Sequence, residues 1–486
     1  MNHQIIVDSR VRLFTDGLSA TSLRELQDEF THENPGYFPA IKYKRPGWWE
    51  EKPTIATWES HSTRSGKTIL SFPRGGLERV RAAIERGTGT AVEVVDNRTD
   101  GTGPQEQPAH LLDLYHYQDT AMGEMIDAGG GILRAPTGAG KTTVAFAYAA
   151  QMGLSTLIVV WNAGLFDQWV ARAQKELGLR ADEVGKIRGA TRVLRPITIA
   201  MQQTLANGVS DEIANYFGIV FLDETQRAAA VTAFKAIDQF PARYRFGISA
   251  DERRKDKKEF LTHDLFGPVV ANVDRDALIE SGHVLDVEIR VVPTMFRADW
   301  YGVDGDFNAL LEAMTLDPAR NALAIDLAET ELDAGEQVLV MSHRVQHCQD
   351  LAANLAARGH RTGFLLGGPE HQTEFRNTVA ELGTGRARAG VGTYPAIGTG
   401  LDIPAVAVAV ATTPIGSNKP FFNQVRGRVC RVAHGKTGAR LYYLWDRLVY
   451  PGHLKNLVAW NRTVNVWNGS EWVNGREYVR ANMGGR

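Results

Sequence analysis

The sequence predicts an α/β protein: two parallel-sheet units in tandem, preceded by a small α+β domain and followed by a short extension. Three observations carry that prediction. Short continuous apolar runs, at residues 156–160, 197–200, 218–222, 337–341 and 405–411, alternate with stretches of helical periodicity. This is the pattern of parallel strands buried on both faces. A glycine-rich stretch, Ala135-Pro136-Thr137-Gly138-Ala139-Gly140-Lys141-Thr142, stands between one strand-like run and one helix-like run. The 486 residues also exceed what one core organises, and suggest about two to four domains. The expected divisions are 1–100, 101–284, 285–450 and 451–486.

Composition narrows the class. With 43% hydrophobic and 23% charged residues the chain reads as globular. A formal net charge of −2 gives no global basic signature, so any nucleic-acid surface must be local. Two cysteines, Cys348 and Cys430, allow neither a disulfide framework nor a cysteine metal cluster, and fit a reducing cytosol. The first residues lack a signal-peptide pattern, and no apolar run approaches the ~20 residues that span a bilayer. A cytoplasmic protein without membrane contact is expected.

In chain order, residues 22–30 suggest a short helix capped by Thr21 or Ser22, and residues 77–84 an amphipathic one. Lys42, Lys44, Arg45, Trp48 and Trp49, followed by Arg64, Lys67 and Arg74, interleave basic and aromatic side chains. Such a mixture can hold a polynucleotide backbone and stack bases, and equally can be a solvated face. Residues 97–107, rich in Gly, Thr, Asp and Pro, read as a linker. If the domain before it is a nucleic-acid-binding accessory, removing residues 1–100 should spare the basal chemistry downstream and weaken action on branched junctions.

The stretch from Ala135 to Thr142 meets the demands of a phosphate-binding loop, with Ala135 where Gly is usual. Gly138 and Gly140 let backbone N–H groups approach phosphate, Lys141 supplies a charge, and the Thr142 hydroxyl suits Mg²⁺. The following helix puts its N-terminus at the phosphates. Further on, Asp223 and Glu224 end an apolar strand, where acidic groups are otherwise loop residues. Beside such a loop, Asp223 can hold Mg²⁺ and Glu224 can orient and deprotonate a water. Gln424, Arg428 and Arg431 lie in Gln424-Val425-Arg426-Gly427-Arg428-Val429-Cys430-Arg431. The two arginines are three apart, so on a helix they share a face suited to a γ-phosphate. Trp460, Trp467 and Trp472 suggest either a small strand pair on the second unit or an aromatic contact surface.

Taken together, residues 111–450 resemble the superfamily 2 helicases and translocases. Tyr117-Gln118 resembles the adenine-reading motif, 135–142 motif I, and Asp223-Glu224-Thr225-Gln226 the DExH/DExQ box. Ser249-Ala250-Asp251 stands where Ser/Thr-Ala-Thr is usual. Gly400-Leu401-Asp402-Ile403-Pro404 resembles motif V, and 424–431 motif VI. The branch most resembled is the UvsW-like and XPB-like DNA enzymes, through 247–256 (with Arg254-Lys255-Asp256), 267–270 and the N-terminal extension. The resemblance implies two RecA-like domains with ATP and Mg²⁺ between them, Mg²⁺ on Thr142 and Asp223. Gln118, Pro136 to Thr142, Gly400 and Asp402 would line the nucleotide. Gln168, Gln202, Thr204, Thr393, Trp48 and Arg74 would face the polynucleotide. It further implies an ATP-driven motor on single-stranded and branched DNA in replication, recombination or repair, with no small-molecule substrate beyond ATP. An RNA helicase, a motor subunit of a restriction-type complex, or an ATP-gated clamp remain as alternatives. Asp251 in place of Thr would bear on coupling to strand movement.

Overall fold

The structure, a computed structural model, describes residues 3–483 apart from 43, 45–49, 105–109, 227–229, 251–255, 303–304, 399–402 and 416–418. Trp48, Trp49, Asp251, Arg254, Gly400 and Asp402 therefore lie outside the described residues. The chain divides into two compact units, Met1–Asp274 and Arg275–Arg486. Among the described residues, no helix is long and apolar enough to cross a membrane.

The first unit holds two sheets. The smaller has five strands in the order Glu59–Ser62, Thr68–Pro73, Arg10–Phe14, Gln4–Val7, Glu93–Asp96. Only the last pair is parallel. Helices Ala20–Glu29 and Leu77–Thr88 cover it, and Ile5, Val11, Leu26, Phe30, Phe72, Val80 and Ile84 form the core between. Helix Ala20–Glu29 is capped by the Ser19 hydroxyl, which accepts from the Ser22 N–H at 3.1 Å, one turn earlier than the sequence suggests.

The larger sheet has eight strands in the order Thr191–Val193, Val184–Arg188, Ile197–Met201, Thr156–Val160, Ile219–Leu222, Tyr244–Ser249, Gly130–Arg134, Val269–Asn272. All pairs are parallel except the one at the Thr191–Val193 edge. Thr156–Val160 and Ile219–Leu222 are buried along their whole length, as continuous apolar runs in a doubly covered sheet must be.

The small sheet is bolted to the larger one, which the sequence does not foretell. Residues 97–104 do not behave as a free linker. Thr99 bridges Ala242, the Thr102 N–H donates to Asn215 O at 2.8 Å, and the Gly103 N–H to Tyr216 O at 3.0 Å. Gly75 comes so close to the other sheet's chain that an added Cβ would meet Asp264 O at 2.6 Å. Arg74, expected to face a polynucleotide, is buried instead. Its guanidinium donates to the carbonyls of Ala242 and, at 2.8 Å, Arg243, so it cannot serve a solvent-side ligand. Arg10 ion-pairs with Asp238 and donates to Ser71 Oγ at 2.8 Å and Thr57 O at 2.8 Å. Asp264 accepts from Thr57 Oγ1 at 2.7 Å and Arg79, and pairs with His32 at 2.8 Å. Burial alone would push the Asp264 carboxyl up; the bonds from His32, Thr57 and Arg79 outweigh it and hold it below its ordinary value.

The second unit carries another eight-stranded sheet, ordered Thr362–Leu365, Ala389–Thr393, Val338–Ser342, Val408–Ala411, Ala439–Trp445, Val287–Pro293, Val464–Trp467, Trp472–Asn474. Only the last pair is antiparallel. The tryptophan-bearing C-terminal residues thus form a hairpin that extends this sheet, with the Trp467 and Trp472 rings 5.4 Å apart.

One buried histidine ties this unit's stability to pH. His347 lies between Ser342 Oγ (2.9 Å, to Nδ1) and Asn321 Oδ1 (2.8 Å, to Nε2), a network suited to the neutral ring. Burial, with the nearby positive charge of Arg320, lowers its pKa to about 4 against an opposing effect of Asp350. Above pH ~6.5 the ring is neutral in both folded and unfolded chains, so it contributes no pH dependence there. As pH falls from there towards 4, the unfolded chain takes up a proton that the folded one refuses. The expected loss is on the order of 2–3 kcal/mol. Denaturant unfolding at neutral pH and near pH 4.5 should show it in the native chain, and His347→Gln should lose that part of the slope.

Candidate nucleotide site

The loops that matter leave the C-terminal ends of parallel strands, where open α/β sheets bind ligands. The strand Gly130–Arg134 runs into the phosphate loop, and the helix Lys141–Met152 begins at its end. Gly138 and Gly140 have φ of 96° and 76°, conformations that a side chain would strain. A Cβ on Gly140 would also lie 2.3 Å from Gln118 Nε2. The Ala139 N–H closes a turn onto Pro136 O at 3.1 Å. Lys141 Nζ donates to Ala135 O at 3.1 Å, within the loop's own curve. Thr137 and Thr142 are half-buried there, Thr142 in the first turn of the helix.

Gln118 is buried and spends both ends of its amide on local contacts. Its Oε1 accepts from the Tyr115 N–H at 3.1 Å, capping the helix His116–Ala128, and its Nε2 donates to Ala139 O at 3.1 Å. The Tyr117 hydroxyl donates to the same carbonyl at 3.2 Å. The pair Tyr117-Gln118 therefore braces the crest of the phosphate loop.

Strand Ile219–Leu222 sits two places from the loop's strand, with Tyr244–Ser249 between them. It delivers Asp223 and Glu224 to the same end of the sheet. Asp223 is buried; its Oδ2 accepts from the Trp169 indole N–H at 2.8 Å and its Oδ1 from the Glu224 N–H at 2.8 Å. Burial and the neighbouring Glu224 charge raise its pKa to about 6, while the Trp169 N–H and the Lys141 ammonium pull the other way. Lys141 is thus close enough for its charge to be felt by this carboxylate. Glu224 holds φ at 52°, a conformation uncommon outside glycine and typical of functional turns. Its Oε2 accepts from Gln226 Nε2, and Gln226 Oε1 accepts from the Ser249 hydroxyl at 2.6 Å. A continuous chain of bonds therefore links the acidic pair to the next strand's end.

These groups fit a metal-bound nucleoside triphosphate. An ordered loop with two left-handed glycines leads into a helix N-terminus, which is an anion cradle. A threonine hydroxyl and one or two carboxylates are the hard oxygen donors that Mg²⁺ takes alongside phosphates.

The other expected residues scatter. Gln168 is half-buried on the helix Ala163–Leu177. Gln202 is buried, whereas the Thr204 hydroxyl accepts from the Gly189 N–H at 3.1 Å. In the second unit Thr393 ends its strand and is buried, and Gln424 is buried on the helix Lys419–Arg426. The shared helical face expected for Arg428 and Arg431 does not exist. The helix stops at Arg426, just before Gly427, and the Leu285 N–H binds Cys430 O at 2.7 Å. That draws Arg431 into an antiparallel bridge with Val284. Arg428, in the turn between, donates to Gly398 O at 2.8 Å. Trp169 is the residue that sequence reasoning missed. Its helical spacing marks it as core, and only the structure shows where its N–H goes.

Comparison with known proteins agrees with this geometry. The family model of the "Type III restriction enzyme, res subunit" matches residues 111–252, which include the phosphate loop and the acidic pair. "DNA 3'-5' helicase XPB" of Kineococcus radiotolerans is 29% identical over 309 residues, covering 60% of this chain and 53% of that protein. The chain is related to the XPB-type superfamily 2 helicases. "Probable helicase D10" of Escherichia phage T5 is 25% identical over 359 residues, 72% of this chain and 74% of that one. The chain spans about half the length of the first curated helicase relatives it matches. The structure of "DEAD-box helicase Mss116 bound to ssRNA and UDP-BeF" superposes with a TM-score of 0.55 at 15% identity. It covers 74% of this chain and 76% of that one, and so shares the tandem RecA-like fold.

Proposed function

We propose that this superfamily 2 relative is an ATP-driven DNA helicase or translocase acting on single-stranded and branched DNA. The observation that carries the reading is the meeting of a left-handed-glycine phosphate loop, Lys141, the buried Asp223 and the half-buried Glu224 at the C-terminal end of one sheet. The relation to DNA helicases supports DNA as the track.

In this reading the backbone N–H groups of 137–142 and the Lys141 ammonium hold the β- and γ-phosphates. Thr142 and Asp223 would hold Mg²⁺, which neutralises phosphate charge when bound. Glu224, its carboxylate oriented by Gln226, would position the attacking water and accept its proton. Arg428 and Arg431 would supply positive charge to the γ-phosphate, and Gln424 a neutral amide hydrogen bond. Gln118 would read adenine by turning its amide from Tyr115 N–H and Ala139 O. Gln168 and Thr204 are the polynucleotide-facing candidates on this reading, together with Trp48; Arg74 is spent on backbone carbonyls, and Gln202 and Thr393 are buried.

ATP turnover measured with single-stranded DNA, duplex DNA, a four-way junction and RNA tests this directly. The expected result is stimulation by the DNA forms, the junction included. Stimulation by RNA alone, or none by any polynucleotide, overturns it. The matched family model favours one second reading, a motor subunit serving a separate nuclease. DNA-stimulated turnover together with copurification of a nuclease would support that.

A further inference from the structure

The helix Ala163–Leu177 sends one donor into each half of the nucleotide site. The Trp169 N–H reaches Asp223, and Arg172 Nη2 donates at 2.8 Å to the hydroxyl of Thr143, the residue following Thr142. Trp169 is 1% exposed, and its ring stands edge-on to Phe146 of the phosphate-loop helix, centroids 5.1 Å apart. A tryptophan that served only to fill the core would leave a buried N–H to be satisfied somewhere. Here the acceptor is the carboxylate expected to face the metal.

That choice has a mechanical result. With Oδ2 held by the indole and Oδ1 by the Glu224 N–H, the Asp223 carboxylate is fixed in plane and rotation, and each oxygen keeps acceptor capacity. Mg²⁺ demands near-ideal octahedral geometry and tolerates misdirected ligands poorly. Partners one step out from a ligand, which fix its orientation, are commonly worth 10–100-fold in metal affinity or activity. We infer that Trp169 is a positioning residue, whose indole N–H holds Asp223 in the orientation that takes Mg²⁺ with the bound nucleotide. The inference rests on the ATP-site reading above.

Two variants separate the N–H from the ring. Trp169→Phe keeps an aromatic ring and removes the donor. Benzothienylalanine at position 169 keeps the indole's size and replaces N–H by sulfur. Affinity for a fluorescent ATP analogue is measured with Mg²⁺ and with EDTA, alongside the Mg²⁺ concentration giving half-maximal ATP turnover. Expected for both variants is a rise of roughly 10-fold or more in the Mg²⁺ requirement. Metal-free nucleotide affinity should be unchanged, with the loss appearing in Mg²⁺ dependence and not in the KM at saturating metal. Phe146→Leu disturbs the same ring packing and should leave the Mg²⁺ requirement alone. An unaltered requirement in the benzothienyl variant, or an equal rise in Phe146→Leu, overturns the assignment. If Trp169→Phe fails to melt cooperatively, the size-matched benzothienyl variant decides. Native protein that hydrolyses no ATP would sink the motor reading, while the Mg²⁺-dependent binding comparison would still report on Trp169.

Discussion

Lys141→Ala is expected to abolish polynucleotide-stimulated ATP turnover, lowering kcat by roughly 10²–10³ or more, as removal of a preorganised charge-stabilising group does. The fold should survive. Lys141 is only half-buried and donates to Ala135 O within the loop, and when its ammonium is lost the buried Asp223 carboxylate keeps its bonds from the Trp169 indole and the Glu224 N–H. Steady-state ATPase assays and circular dichroism melts on the same preparation check both halves. Near-native turnover in a folded variant would remove the phosphate loop from the chemistry, and the motor reading with it.

Asp238→Ala is expected to have the largest effect on stability. Asp238 is the carboxylate between Arg10 of the small sheet's domain and Arg245 of the larger, both of them buried. Burial already draws the Arg245 guanidinium down to about 10, against the pull of Asp238. Removing the carboxylate leaves two buried guanidiniums facing each other, at a cost of about 3–5 kcal/mol. Denaturant unfolding of the variant should show this as a shifted midpoint with activity per folded molecule retained. A change below about 1 kcal/mol would mean that water reaches these groups. The same logic reverses the expectation that removing residues 1–100 spares the basal chemistry and weakens only action on junctions. Their deletion would strip Arg10 from Asp238 and His32, Thr57 and Arg79 from Asp264, and uncover the face of the larger sheet's domain on which they pack. The truncated chain should be insoluble or severely destabilised, which a solubility and melting comparison will reveal.

Much of this was legible in the sequence because the physics is local. Apolar runs such as Thr156–Val160 can only be doubly covered strands, and a loop with glycines at 138 and 140 between strand and helix has few other uses. Val184–Arg188 and the edge strand Thr191–Val193 escaped because neither is a continuous apolar run: the first carries Gly185, Lys186 and Arg188, and the second is exposed throughout. The arginine geometry failed for a different reason. Spacing of three implies a shared face only where a helix continues, and a pairing with Val284, remote in sequence, ends it. Arg74 failed likewise: a basic residue between Pro73 and two glycines looks solvent-seeking until the backbone carbonyls of 242 and 243 are known to lie above it. Long-range partners, not composition, decided each of these.

The second sheet also constrains how the protein comes off the ribosome. Its first-made strand, Val287–Pro293, is flanked on one side by Ala439–Trp445 and on the other by Val464–Trp467, both synthesised long afterwards. The leading unit can close while translation continues, since both neighbours of Gly130–Arg134 have emerged once Asn272 has. The trailing unit cannot. Until Ala439–Trp445 emerges Val287–Pro293 has two unpaired edges to shield, and one until the tryptophan hairpin is released; nascent chains stalled before residue 439 should recruit holding chaperones that full-length chains do not.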